Sequence, residues 1–145
     1  NQNLIEDFNL NKIKNDSKIL LTGRNFGCGS SREHAAWAIY DYGFRVVLSS
    51  FFADIFKSNA LNNGLLVIQF DQKIIDEIFK KTSDDIHSSF SVDLEEQRFF
   101  SEDGFFDERF EVNEYNKTCL INGFDNIDYL LNIKDKILKF EESKQ

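Results

Sequence analysis

The order of apolar patterns along the chain predicts an α/β fold: a short parallel sheet covered by helices, then an antiparallel hairpin or meander, then further helices. Three observations carry that prediction. The first half alternates short apolar, β-branched runs with segments of helical spacing, the rhythm of parallel strands joined by crossover helices. From Phe90 the period drops to two, with Phe90, Val92 and Leu94 on one face. Beyond Asn113 the pattern returns to short helical segments, punctuated by Asn122-Gly123 and Asp125.

Taken in order, Lys18–Thr22 (KILLT) is an apolar run ended by Gly23 and reads as a strand, followed by a Gly-rich turn. From Ser31 to Tyr42, the residues Ala35, Ala38, Ile39 and Tyr42 recur at i, i+3, i+4 and i+7, which predicts an amphipathic helix closed by Gly43 at its C-cap. Phe44–Ser49 (FRVVLS) is apolar and β-branched enough for a buried strand. Phe51–Asn62 then returns to helical spacing through Phe52, Ile55 and Phe56 before Asn63-Gly64. Leu65–Phe70 is the next strand, and Asp71 is placed to cap a helix whose core face is Ile74, Ile75, Ile78 and Phe79. After Leu94, Glu95-Glu96-Gln97 forms a turn, and Phe-rich segments continue to Val112. Residues Asn113–Gln145 divide into two or three short helices, with Asp125 as an N-cap. Neither an internal repeat nor an interdomain linker interrupts the chain, so 1–145 reads as a single domain.

Composition narrows the function. With 145 residues, 41% hydrophobic and 29% charged, the chain has a globular rather than a disordered composition. Acidic side chains (25) outnumber basic ones (17), giving a formal charge of −8. That balance argues against nucleic acid as a partner, since affinity for phosphates rests on clustered Lys and Arg. The longest apolar stretches, Phe44–Leu48 and Leu65–Phe70, fall far short of the ~20 residues that cross a bilayer. The polar Asn1–Asp7 does not resemble a signal peptide, and the expected location is a reducing cytoplasm. Cys28 and Cys119 form no CxxC or Cys/His pattern, so neither a disulfide framework nor a metal site is expected on this chain. Met and Pro are both absent, and the lack of Met predicts that a segment is missing from the front. Phe, at 16, together with abundant Ile, Asn and Lys, reflects an AT-rich codon bias. Lys is preferred over Arg, yet Arg24, Arg32 and Arg45 fall in one short segment, pointing there for guanidinium chemistry.

The chemistry concentrates in Gly23-Arg24-Asn25-Phe26-Gly27-Cys28-Gly29-Ser30-Ser31-Arg32-Glu33-His34, between the first strand and the first helix. A strand that feeds a Gly-rich turn opening a helix gathers backbone N–H groups and the positive end of a helix dipole, where anions bind. The Lys-Ser/Thr of a P-loop and the third glycine of a dinucleotide fingerprint are both missing. Two hydroxyls and a guanidinium suit a small carboxylate instead, with Arg32 gripping it bidentately. A plainer reading stands beside this one. Ser30-x-x-Glu33 is a capping box, and capping is the commoner reason for Ser-x-x-Glu. Gly27 and Gly29 serve equally to permit positive φ. Cys28 reads as a small buried turn residue and His34 as a hydrogen-bonded scaffold residue. Trp37, Tyr40 and Tyr42 read as core or interface aromatics, and His87 as exposed.

GRNFGCGSSREHAAWAIYDYGFRVV, followed by FFADIFKSNALNNGLLVI and later by NGFDNIDYLL, closely resembles the small subunits of 3-isopropylmalate dehydratases, a branch of the aconitase superfamily. The resemblance runs from about Phe8 into the C-terminal helices, and the GSSRE signature in a strand-turn-helix context is highly specific. It implies a swivelling β/β/α domain that closes over an active site built largely by a separate large subunit. The implied reaction interconverts 2-isopropylmalate and 3-isopropylmalate through isopropylmaleate, in leucine biosynthesis. A [4Fe–4S] cluster, expected on the large subunit, serves as Lewis acid. No cofactor is expected on this chain, whose two cysteines are too few to hold such a cluster. Position by position, the resemblance makes Ser30 the catalytic base, Ser31 a substrate-binding serine and Arg32 a carboxylate-binding arginine; Gly29 is counted with the substrate-binding residues, and Gly27, Cys28, Glu33 and His34 are read as the structure of the turn and cap. Proline, usual in the family after His-Ala and in the strand after Asn-Gly, is replaced by Ala36 and Val67, and the family's N-terminal strands and substrate-contacting loop are absent.

One chemical tension accompanies that assignment. A serine hydroxyl is a weak base at its ordinary pKa, so Ser30 needs surroundings that stabilise its alkoxide. If Ser30 also caps the helix, its oxygen is partly committed, and Ser31 is the better cap. Two further readings remain open at this level: a homoaconitase-type hydroxy-acid dehydratase subunit, and a non-enzymatic module whose turn binds an anion or only caps a helix.

Overall fold

The computed structural model describes residues 8, 10, 16–29, 32–85 and 87–144. Its elements are β1 (Ile19–Leu21), α1 (His34–Tyr42), β2 (Val46–Ser49), α2 (Asp54–Asn62), β3 (Leu66–Gln69), α3 (Gln72–Asp84), β4 (Phe90–Asp93), β5 (Arg98–Ser101), β6 (Asp107–Arg109), α4 (Glu114–Asn122), α5 (Asn126–Asn132) and α6 (Lys134–Glu142). The first three strands form a parallel sheet in the order β1-β2-β3, with Leu20 opposite Val47 and Val47 opposite Val67. The second three form an antiparallel meander, β4-β5-β6. The predicted alternation of strands and helices, the later change of period and the terminal helices all appear in the predicted order.

A central parallel strand is covered on both faces, which is why Val46–Ser49 is apolar without alternation. On one face Val46 and Leu48 join Leu66, Ile68, the α3 residues Ile75 and Ile78, and Phe99 of the meander. On the other, Val47 and Val67 pack against Ala36 of α1, Phe56 and Ala60 of α2, and Phe52. The second core is the smaller, and half-buried Phe26, from the segment that leads out of β1, packs against it.

Helix faces differ from the expectation in phase. In α1 the buried residue is Ala36, with Ile39 and Tyr40 half-buried, whereas Ala35 and Ala38 are exposed and Tyr42 is 54% exposed. Alanine gains little from burial, so the three alanines at 35, 36 and 38 leave the phase of the stripe to tertiary contacts. Ile55 is 53% and Phe79 38% exposed, while Phe56, Ala60, Ile75 and Ile78 carry the contacts. Asp71 occupies the N-cap of α3 but makes no side-chain capping bond. Asp125 caps as expected: its Oδ1 accepts from the backbone N–H groups of Ile127 and Asp128, both at 2.8 Å, completing a capping box.

Candidate functional site

In a parallel sheet, the helices that follow each strand begin at the strands' carboxyl ends, so the exits of β1 and β2 lie side by side. Hydrogen bonds fasten these exits together. Thr22 donates to the Leu48 carbonyl twice, from its N–H and its hydroxyl, each at 2.8 Å. One residue further on, the fully buried Ser49 donates from Oγ to the Gly23 carbonyl at 2.8 Å and accepts the Phe51 N–H at 3.3 Å. The turn therefore leaves β1 already tied to the start of the β2–α2 connection.

The turn then folds on itself. Asn25 and Gly27 take positive φ (63° and 78°), Cys28 N–H donates to the Asn25 carbonyl at 3.1 Å, and Gly29 N–H donates to Gly27 at 2.9 Å. Phe26 bridges to Phe52 in parallel fashion, its carbonyl accepting the Ala53 N–H at 3.3 Å, and its ring meets Phe56 edge-on at 5.3 Å. A Cβ on Gly27 would lie 2.5 Å from Phe56 Cβ, so glycine is required there both for its φ and for the close approach of α2. Gly29 has open space around it and takes no positive φ.

Arg32 and Glu33 precede α1 instead of lying in its first turn. Glu33 occupies the N-cap, makes no side-chain capping bond, and accepts from Ala36 and Trp37 N–H through its carbonyl at 2.9 and 3.1 Å. The helix itself begins at His34, and the predicted capping box turns on Ser30. Ser30 and Ser31 lie outside the described residues, and their predicted roles with them.

Arg32 borders two adjoining depressions that share Gly27, Gly29 and Ala35: one runs along the turn past Arg24 and Cys28, the other along the start of α2 past Asp54 and Ile55. Both arginines are exposed and, among the described residues, neither is paired with a carboxylate. The surface offers guanidinium donors beside apolar and backbone walls, an arrangement suited to a small anion. Arg45 belongs elsewhere. Its Nη1 donates to the carbonyls of Tyr40 and Phe44 at 2.9 and 2.7 Å and its guanidinium lies 3.8 Å from the Tyr40 ring centre, so it closes the C-terminal end of α1.

Cys28 is exposed, contrary to the expectation of burial, because the turn spends its inward positions on Phe26 and Gly27. His34 is the first residue of α1, its ring 4.8 Å from that of Trp37, whose Nε1 donates to Asn63 Oδ1 at 2.7 Å. Trp37 and Tyr42 are exposed rather than core residues, and His87 is exposed as expected. Two participants are not singled out by the sequence reading: Ser49, whose signal is a polar residue ending an otherwise apolar strand, and Phe56, which enters there only as one point of a helical spacing.

Comparison with known proteins matches residues 3–73 to the aconitase C-terminal domain. The chain is 52% identical over 141 residues to the 3-isopropylmalate dehydratase small subunit of Christiangramia forsetii, covering 97% of this chain and 69% of that one. It is 52% identical over 139 residues to the protein of the same name from Cytophaga hutchinsonii, covering 96% and 69%, and 50% identical over 144 residues to that of Azobacteroides pseudotrichonymphae, covering 99% and 73%. A crystal structure of 3-isopropylmalate dehydratase from Methanocaldococcus jannaschii superposes with a TM-score of 0.62 at 28% identity, covering 91% of this chain and 72% of that one. These matches bear out the aconitase-type fold expected from the signature. Half or more of the aligned residues are shared across nearly the whole length, and the chain belongs to the family of 3-isopropylmalate dehydratase small subunits.

Proposed function

We propose that the chain, as the small subunit of a two-subunit hydro-lyase, presents its Gly23–Arg32 turn to an active site completed by a large subunit, where 2-isopropylmalate and 3-isopropylmalate interconvert in leucine biosynthesis. The observation that carries the reading is Arg32 at the mouth of two depressions, exposed and without a carboxylate partner among the described residues, on a turn fastened at Gly23 and Phe26. A guanidinium held there is available to a substrate carboxylate in a bidentate pair, the geometry that Lys lacks.

In this reading Ser30 removes the proton from the carbon next to a carboxylate as the hydroxyl on the neighbouring carbon leaves, giving isopropylmaleate. Water then adds back with the opposite placement of hydroxyl and hydrogen. Ser31 and the Gly29 backbone complete the substrate's shell. Arg32, two residues from Ser30, provides positive charge that favours the alkoxide a serine base requires. Cys28, Glu33 and His34 shape the turn.

The iron–sulfur cluster is assigned to the large subunit. Among the described residues no three His, Cys, Asp or Glu side chains gather to hold a metal, and the two cysteines are both free, one exposed and one buried. This donor set does not fit a cluster, and no step on this chain is routed through one. No helix among the described residues is long and apolar enough to cross a membrane. The names of the relatives favour isopropylmalate over a homoaconitase-type substrate and over a non-enzymatic module.

Mixing the chain with a cluster-loaded large subunit and following isopropylmaleate absorbance tests this. Turnover that needs both chains is expected, with loss of turnover in Ser30→Ala. Normal turnover by Ser30→Ala removes the base role, and turnover with homocitrate but not isopropylmalate assigns a different substrate.

A further inference from the structure

Ser49 is fully buried, polar, and placed where β2 ends. Its Oγ lies 2.8 Å from the Gly23 carbonyl, 3.1 Å from the Phe51 carbonyl and 3.3 Å from the Phe51 N–H. It accepts from that N–H and has one proton to give, shared between two carbonyls, the shorter bond going to Gly23. The contact joins the first residue of the turn to the segment that sets the position of α2. The next contact between the same two segments is the Phe26 bridge to Phe52 and Ala53. Between these two anchors the chain has only the positive-φ Asn25 and the exposed Arg24, and beyond them the turn leads to Arg32.

At Gly23 itself a single hydroxyl ties the turn to the β2–α2 connection, one residue after the two Thr22 bonds that end β1. Thr22 provides a contrast: its hydroxyl also bonds a buried carbonyl, but Leu48 O already receives the Thr22 N–H, so that bond reinforces strand pairing and leaves the turn's direction unchanged. Removing the Ser49 hydroxyl leaves the Phe51 N–H and the Gly23 carbonyl without this partner, in a site where a misplacement of about 1 Å is costly.

We propose that Ser49 is a positioning residue for the reaction: acting through the Gly23 carbonyl, it holds the turn in the register that presents Arg32 to the substrate. This rests on the assignment of Arg32 as the carboxylate-binding residue.

The test uses steady-state kinetics of the chain reconstituted with the cluster-loaded large subunit, alongside thermal melts. Ser49→Ala is expected to lower kcat/KM about tenfold. Ser49→Thr, which keeps the oxygen, should restore it to within about threefold, and Thr22→Val should lower the melting temperature comparably while keeping kcat/KM within about twofold. Should Ser49→Ala fail to fold, Ser49→Cys, of the same shape with a weak donor, takes its place. If Ser49→Ala and Thr22→Val change kinetics alike, or Ser49→Ala leaves kcat/KM unchanged, the positioning role is overturned. Arg32→Lys run in parallel separates the two ideas. A loss there with no effect at Ser49 overturns this proposal alone, whereas wild-type kinetics from Arg32→Lys overturns the site assignment and this proposal with it.

Discussion

At Gly27 the need for a positive φ and the need for an empty Cβ position coincide, and the second depends on a helix that comes later in the chain. Gly27→Ala is therefore expected to destabilise the fold by about 2–4 kcal/mol, combining left-handed strain with overpacking against Phe56. Denaturant unfolding that shows a loss below about 1 kcal/mol would mean α2 yields without cost. The glycine's permissive role was legible in the sequence because it follows from local backbone chemistry. The Phe56 contact and the Ser49 tether were not, since both join segments brought together only when β1 and β2 pair. Cys28 was misread for the same reason: residue type favours burial, but the turn's inward positions are taken by Phe26 and Gly27.

Among the elements, the strand and helix order followed from periodicity, while the phase of α1 did not. Three alanines made the inward face of α1 ambiguous, and a helix start is set by where the preceding turn lets go. Elsewhere, a local charge constellation joins two elements. Asp103, in the β5–β6 turn, pairs with Lys81 of α3 and accepts from Ser101 Oγ at 2.7 Å and Phe105 N–H at 3.1 Å. The Lys81 hydrogen bond first, then those from Ser101 and Phe105, hold its carboxyl well below the usual carboxylate range. A carboxyl with a depressed folded pKa stabilises the fold above its ordinary value of about 4 and loses that contribution as pH falls toward the folded value. Asp103→Asn should thus lower the melting temperature at pH 7, modestly because the pair is solvent-exposed and screened. The gap from wild type should narrow as pH drops below about 4. A gap of constant size from pH 7 to pH 2 would show that the ion pair contributes nothing.

Across the whole molecule, stability is unevenly distributed. Every residue of β2 is buried between two cores, whereas α5 and α6 contain no buried residue and carry exposed Ile127, Leu131 and Phe140. Amide hydrogen exchange is expected to be slowest in Val46–Ser49 and fastest among the helices in α5 and α6. Equal protection of α6 and β2 in the isolated chain would contradict that ordering. The turn that leads to Arg32 starts from the protected side, anchored to the ends of β1 and β2 at Gly23 and Phe26. The central claim is that this arginine reads a substrate carboxylate in a site shared with a second subunit. The most direct measurement is kcat/KM of the reconstituted complex with Arg32→Lys, with subunit association measured in the same samples. Loss of the bidentate grip predicts a fall of about a hundredfold with association unchanged; wild-type kinetics, or a loss fully explained by failed association, would contradict it.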